Sequence, residues 1–125
     1  MAGAELSKAA IEDLFKQLNL TPTISNLGEI THYSAANIEL FVGDIFKVTP
    51  TMLGKVDAVY DRAALVALPE DMRKAYSKHL MALTNKAPQL LICFEYDQTK
   101  HEGPPFSISA DEVKQHYQTT FDLTL

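Results

Sequence analysis

Residues 89–96 read Gln-Leu-Leu-Ile-Cys-Phe-Glu-Tyr and are nearly all apolar. A short run of this kind is typical of a strand buried on both faces, as in a parallel sheet covered by helices. A helix is predicted before it over 69–83, where apolar residues recur at helical spacing, and another after it over 109–118, where Ser109 is placed to cap. This stretch therefore predicts helices packed against a sheet.

The rest of the chain continues the alternation of strands and helices. Strands are predicted at 2–5, 29–34, 37–42, 56–60 and 119–125, a helix at 8–19 and one helical turn at 50–53. The polar stretch around Ser25-Asn26 is predicted as a loop. Alternation of this kind predicts an α/β fold with an open, mostly parallel sheet, and a length of 125 residues predicts one domain spanning 1–125.

The composition is that of an ordinary globular protein, with 46% hydrophobic and 22% charged residues. The net charge is -5, and the acidic residues are spread over both halves of the chain. Without a cluster of Lys and Arg, nucleic acid is excluded as a main partner. No apolar run approaches the roughly 20 residues of a membrane span, so no membrane association is expected. The single cysteine, Cys93, is consistent with a reducing cytoplasm.

Three polar residues follow the carboxyl ends of predicted strands, where open α/β sheets bind their ligands. Glu5 closes the first strand, Asp44 follows the strand at 37–42, and Arg62 follows the strand at 56–60. We expect all three side chains to converge on one cleft at that edge of the sheet.

Each of these residues has a functional and a structural interpretation. Glu5 could accept hydrogen bonds from the two hydroxyls of a ribose, or could be a charge at the start of a helix. Asp44 could bind the polar edge of an adenine, or could only make a turn. Arg62 could hold an anionic or carbonyl-bearing substrate, or could pair with the adjacent Asp61.

The remaining reactive residues indicate no metal or nucleophile site. The four histidines lack metal-ligand spacing, and His101 with Asp97 and Glu102 is more typical of a solvated loop. Cys93 lies in the middle of a predicted strand, which favours a small core residue over a catalytic thiol. The chain contains no phosphate-binding loop and no GxGxxG motif.

Several segments together resemble the thiopurine S-methyltransferase family, and the similarity is closest to its bacterial members. They are Glu5-Leu6-Ser7, Asn37-Ile38-Glu39-Leu40, Gly43-Asp44-Ile45-Phe46, Tyr60-Asp61-Arg62-Ala63-Ala64-Leu65-Val66-Ala67 and Tyr96-Asp97-Gln98-Thr99-Lys100-His101-Glu102-Gly103-Pro104-Pro105-Phe106. The segments occur in order and at the family's spacing, and the resemblance runs from residue 3 to the end of the chain.

The resemblance implies a class I methyltransferase that uses S-adenosylmethionine and has a Rossmann-like sheet. It implies transfer of a methyl group to the sulfur of thiopurines and of aromatic or heterocyclic thiols. By this resemblance, Glu5 would bind the cofactor ribose, and Asp44 and Ile45 would contact the adenine. Arg62 would lie where cofactor and substrate meet. Asp97 would make a polar contact to the heterocycle, and the walls of the substrate pocket would be formed by Pro104, Pro105 and Phe106.

Compared with the family, the sequence starts after the first strand and its glycine loop and stops before the final strand. The resemblance therefore implies a truncated domain that binds S-adenosylmethionine weakly. It also implies a homodimer or a strand swap that covers the edges left by the missing strand. Two alternatives stay open: a methyltransferase-like remnant that acts only as a fold or self-association module, and a small flavodoxin-like nucleotide-binding module, which a phosphate loop would favour.

Overall fold

The computed structural model describes residues 1–125, which form two compact units, Met1–Leu53 and Gly54–Leu125. Each unit contains both strands and helices, so the mixed α/β class predicted from the sequence is confirmed. None of the helices has the length and apolar character needed to cross a membrane.

The first unit is a four-stranded sheet with one long helix. Its elements are β1 (Ala2–Glu5), α1 (Lys8–Gln17), β2 (Thr23–Asn26), β3 (Thr31–Ala35), β4 (Ile38–Val42), a 3-10 turn (Ile45–Lys47) and α2 (Pro50–Leu53). The strand order is β1-β4-β3-β2, with β1 parallel to β4 and the other two pairs antiparallel. The strands predicted at 29–34 and 37–42 are confirmed as β3 and β4, which form an antiparallel hairpin.

The core of this unit lies between α1 and the sheet. Ile11 and Phe15 of α1 are buried with Tyr33 and Leu40 of the sheet, and the rings of Phe15 and Tyr33 stack with centroids 6.1 Å apart. The helix starts where the sequence predicts, because the Ser7 hydroxyl accepts a hydrogen bond from the Ala10 N–H at 3.2 Å.

Strand β2 lies where the sequence analysis predicted a loop. It pairs with β3 in antiparallel register, with Thr23 opposite Ser34 and Asn26 opposite Thr31. All four of its residues are exposed, so no alternation of apolar and polar residues identifies the strand. The turn that follows has a recognisable signal, since Gly28 has a positive φ of 85° and its N–H donates to the Asn26 side chain.

The second unit contains a two-stranded parallel sheet and two helices. Its elements are β5 (Val59–Asp61), a 3-10 turn (Leu65–Ala67), α3 (Glu70–Leu83), β6 (Gln89–Leu91), a second 3-10 turn (Gln98–Lys100) and α4 (Ala110–Tyr117). β5 pairs with β6 from Val59 opposite Gln89 to Asp61 opposite Leu91. The helix α3 buries its apolar stripe, including Tyr76, Leu80 and Leu83.

The strand pairing differs from the single, mostly parallel sheet that was predicted. The strands form two sheets, with two parallel and two antiparallel pairs. Strand β6 is also shorter than predicted, and Leu90, Ile92 and Phe94 are exposed, so the run at 89–96 is not buried on both faces. Alternate side chains of a strand point to opposite faces, and here one face is left uncovered.

The prediction of a strand at 119–125 is wrong. The chain there extends the end of α4, with the N–H groups of Thr120 and Phe121 donating to the Tyr117 carbonyl. An alternating apolar pattern forms a strand only where a neighbouring strand supplies hydrogen-bond partners, and none pairs with this segment.

Truncating Phe15 tests the core of the first unit. Phe15 is 2% exposed, and replacing a buried Phe by Ala costs about 3–5 kcal/mol. Phe15→Ala should therefore speed native-state amide exchange at Tyr33 and Leu40 strongly. Leu18→Ala, at a side chain that is 44% exposed, is the control and should change exchange little. Equal effects of the two variants would contradict this core.

Candidate functional site

In the first unit, Glu5 and Asp44 lie at the carboxyl ends of two neighbouring parallel strands. Glu5 is in register with Val42, and the Gly43 N–H donates to the Glu5 carbonyl at 3.0 Å, so Asp44 follows one residue later at the same edge. Gly43 has a φ of 141°, and a side chain there would lie 2.9 Å from the Glu29 carbonyl oxygen. Glycine is therefore required for the turn that places Asp44.

Each of these two carboxylates makes one local hydrogen bond. The Glu5 Oε1 accepts from the Ser7 N–H at 3.0 Å, and the Asp44 Oδ1 accepts from the Phe46 N–H at 2.9 Å. Both side chains are exposed, and Ile45 between Asp44 and Phe46 is half-buried. The structural roles considered for Glu5 and Asp44 are thus present, and the second oxygen of each carboxylate is left for a ligand that donates hydrogen bonds.

In the second unit, Arg62 lines a cleft of about 480 Å³. The other lining residues are small or apolar: Ala63, Val66, Ala67, Phe94, Pro104 and Pro105. Arg62 is exposed, and its guanidinium makes no hydrogen bond or ion pair within the unit. The cleft therefore combines a single positive charge with apolar walls.

Asp61 does not pair with Arg62, so that structural alternative is wrong. Its side chain is buried, and its two oxygens accept from the Leu65 N–H at 3.3 Å and from the Tyr76 hydroxyl at 2.8 Å. Burial, followed by the neighbouring Asp61 charge, raises the pKa of Tyr76 far above its usual value, which keeps its hydroxyl a donor.

The loop after β6 is organised by its own side chains. Asp97 is fully exposed and caps the turn at Gln98–Lys100, and hydrogen bonds from the Thr99 hydroxyl and N–H lower the pKa of Asp97. The Gln98 amide donates to the His101 and Glu102 carbonyls and accepts from the Ser107 N–H. Asp97 is not among the residues that line the cleft.

Phe106 follows the two prolines, Pro104 and Pro105, that form one wall of the cleft. Its N–H donates to the Val66 carbonyl at 2.7 Å, and its ring lies 5.8 Å from the Arg73 guanidinium. Phe106 does not itself line the cleft. Its contacts instead connect the proline wall to the segment that follows Arg62.

A buried ion pair that the sequence did not predict lies next to Phe106. Arg73 is 5% exposed and donates through Nε and Nη2 to the Glu112 carboxylate at 2.7 and 2.9 Å, joining α3 to α4. His116 also contacts Glu112, at 2.9 Å. Burial alone would raise the pKa of Glu112, but the hydrogen bonds from Arg73 and His116 outweigh it and lower the pKa. The partners are 39 positions apart in the sequence, so no local pattern signals the pair.

The surroundings of Cys93 and His101 indicate structural roles for both side chains. Burial, with smaller effects of Asp61 and Glu112, raises the pKa of Cys93 to about 11, so the thiol stays protonated and unreactive at neutral pH. The His101 ring packs edge-on against Tyr96 at 5.9 Å. No three His, Cys, Asp or Glu side chains are grouped to hold a metal ion.

The comparison with known proteins identifies the family. The thiopurine S-methyltransferase family model matches residues 1–125. The thiopurine S-methyltransferase of Xanthobacter autotrophicus is 56% identical over 94% of this chain and 55% of its own length. The proteins of that name from Gluconobacter oxydans and Teredinibacter turnerae are 45% and 49% identical, over 100% and 97% of this chain and 57% and 56% of their own.

The chain therefore belongs to the thiopurine S-methyltransferase family, as the resemblance predicted. It spans a little over half the length of the curated relatives it matches.

The Glu112 ion pair gives stability a defined pH dependence. The pKa of Glu112 is lower in the folded than in the unfolded chain, so its contribution is present above the unfolded value of about 4.3 and is lost as pH falls through the folded value. Glu112→Gln should cost about 1.5–3 kcal/mol at pH 7. In urea unfolding the gap to wild type should shrink below about pH 4. Glu102→Gln, at an exposed residue, is the control, and a gap independent of pH would contradict the pairing.

Proposed function

We propose that this chain carries the methyl-donor and thiol-binding residues of an S-adenosylmethionine-dependent thiopurine S-methyltransferase with a class I, Rossmann-like fold. The observation that carries the proposal is the cleft of the second unit, where Arg62 is the one charged residue among apolar walls. An aromatic thiolate has matching chemistry, namely a flat apolar ring and a negative sulfur. The names of the relatives support the same substrate class.

The carboxyl edge of β1 and β4 fits S-adenosylmethionine. A ribose presents two hydroxyl donors, and the exposed Glu5 carboxylate is an acceptor with an oxygen to spare. Asp44 is close along the same edge and can accept from the exocyclic amine of an adenine, while Ile45 offers apolar contact. When bound, S-adenosylmethionine supplies an activated methyl group, so the protein needs no covalent nucleophile.

The chain's own residues then have three tasks. Arg62 favours the thiolate over the thiol, because a nearby positive charge lowers the pKa of an acid, and the thiol proton leaves to water. The proline wall and Phe94 hold the flat ring and exclude water from the sulfur. The contacts of Phe106 with Val66 and Arg73 keep that wall in place, so the acceptor sulfur is held in one orientation. Asp97, which the resemblance implies as a polar contact to the heterocycle, does not line this cleft and takes no part in these tasks.

Self-association and a cytoplasmic location are part of the proposal. β1 and β5 each pair with a strand on one side only, and Tyr60 of β5 is 65% exposed. Unpaired edges are templates for a second strand, which supports a homodimer or a strand swap. Sedimentation should give a mass above 13.9 kDa, and a monomer at all concentrations would contradict this part.

The single cysteine supports a cytoplasmic location for the protein.

Replacing Glu5 tests the methyl-donor site. Glu5→Gln removes the charged acceptor, and hydrogen bonds to charged groups are worth about 1.5–3 kcal/mol, so S-adenosylmethionine should bind at least about tenfold more weakly in calorimetry. Glu12→Gln, on the exposed face of α1, is the matched control. Equal affinity of Glu5→Gln and wild type would remove Glu5 from the site.

Replacing Arg62 tests the activity. Methylation of 6-mercaptopurine, followed by formation of S-adenosylhomocysteine, should fall about a hundredfold in Arg62→Ala, because a charge that stabilises the reacting group is lost. Lys55→Ala, at an exposed lysine paired with Asp57, should leave turnover unchanged. Wild-type protein that neither binds nor methylates 6-mercaptopurine would sink the proposed function and leave a remnant that keeps only the fold.

A further inference from the structure

Asp61 is a buried carboxylate with two neutral partners. It is 3% exposed, and its oxygens accept only from the Leu65 N–H and the Tyr76 hydroxyl, while its backbone carbonyl accepts from the Ile92 N–H at 2.9 Å. Burying a charge without a cationic partner costs folding free energy, and an apolar side chain at this position would avoid that cost. The arrangement therefore indicates a need for defined geometry at this point.

The segment that Asp61 defines is the one that carries Arg62. The Leu65 N–H turns back to the Asp61 side chain and closes a loop of three residues, Arg62 to Ala64. Arg62 and Ala63 line the cleft from within this loop, and Val66 lines it from the 3-10 turn that follows. The position of the Asp61 carboxylate thus sets the backbone from which the guanidinium extends.

The Tyr76 hydroxyl holds that carboxylate from outside the loop. Tyr76 is 3% exposed in the middle of α3, a helix of 14 residues whose neighbouring residues Ser77 and Leu80 are also buried. A packed helix is a rigid support, and the hydroxyl contacts the Asp61 oxygen at 2.8 Å. Asp61 is consequently fixed on both sides, by its own loop and by α3.

We propose that Tyr76 and Asp61 are positioning residues for Arg62, with the hydroxyl holding the carboxylate and the carboxylate holding the loop that presents the guanidinium to a thiolate. This inference rests on the proposed function, in which Arg62 binds the thiolate. Neither residue lines the cleft, so they act through Arg62 and not on the substrate itself.

The chain offers a matched control in Tyr117. Its ring is also 3% exposed in the second unit, but its hydroxyl has no hydrogen-bond partner. Tyr76→Phe and Tyr117→Phe therefore each remove one buried hydroxyl. Only the first removes a hydrogen bond, and only it should alter the loop.

A double-mutant cycle with Arg62 separates positioning from stability. Tyr76→Phe should weaken 6-mercaptopurine binding about tenfold. Tyr117→Phe should stay within about twofold, since it breaks no bond. In an Arg62→Ala background Tyr76→Phe should have no further effect, because there is no guanidinium left to position. Wild-type affinity of Tyr76→Phe, or the same loss with and without Arg62, would overturn the inference.

A ligand-free measurement keeps the inference testable if the proposed function fails. Nuclear magnetic resonance relaxation of the Arg62 Nε–H and amide exchange at Leu65 report the loop directly. In Tyr76→Phe the Arg62 Nε–H should become more mobile and the Leu65 amide should exchange faster. In Tyr117→Phe both should remain at wild-type values. Unchanged mobility in Tyr76→Phe overturns the positioning role, whereas increased mobility in a protein that binds no 6-mercaptopurine upholds it and rejects the proposed substrate.

Discussion

The buried carboxylate of Asp61 is the point on which the second unit depends. Through its side chain and backbone it connects β5 to β6, to the turn at Leu65–Ala67 and to α3. A buried charge must have its hydrogen bonds satisfied, so this carboxylate links the end of the strand, the turn and the helix to one another. The cleft beside Arg62 is a consequence, because one of its walls is the loop that this carboxylate closes.

The proline wall of the cleft depends on a buried ion pair. Arg73 joins α3 to α4 through Glu112 and lies against the ring of Phe106, whose N–H is bonded to Val66. Both walls are therefore attached to α3. In the first unit, glycine at position 43 and parallel pairing of β1 with β4 bring Glu5 and Asp44 to one edge. In each unit, backbone constraints place the residues that carry the polar groups.

The helices could be predicted because their signals are local in the sequence. Structure that depends on a distant partner could not be predicted. Ser7 and Ser109 cap α1 and α4 as their side chains suggest, since a cap is a contact within three residues. The run at 119–125 has a strand pattern but no partner, and β2 has a partner but no pattern. Arg62 could be singled out as a candidate because it follows a strand, whereas the contacts of Tyr76 and Arg73 reach residues 15 and 39 positions away.

We propose that this chain binds a methyl donor at the edge of one sheet and an aromatic thiolate at the Arg62 cleft. Mapping amide chemical shifts during separate titrations with S-adenosylmethionine and 6-mercaptopurine tests it most directly. The account predicts shifts at Glu5–Ser7 and Gly43–Phe46 with the first ligand, and at Arg62–Ala67 and Phe106–Ser107 with the second. Shifts scattered over the surface, or none at saturating ligand, would contradict it.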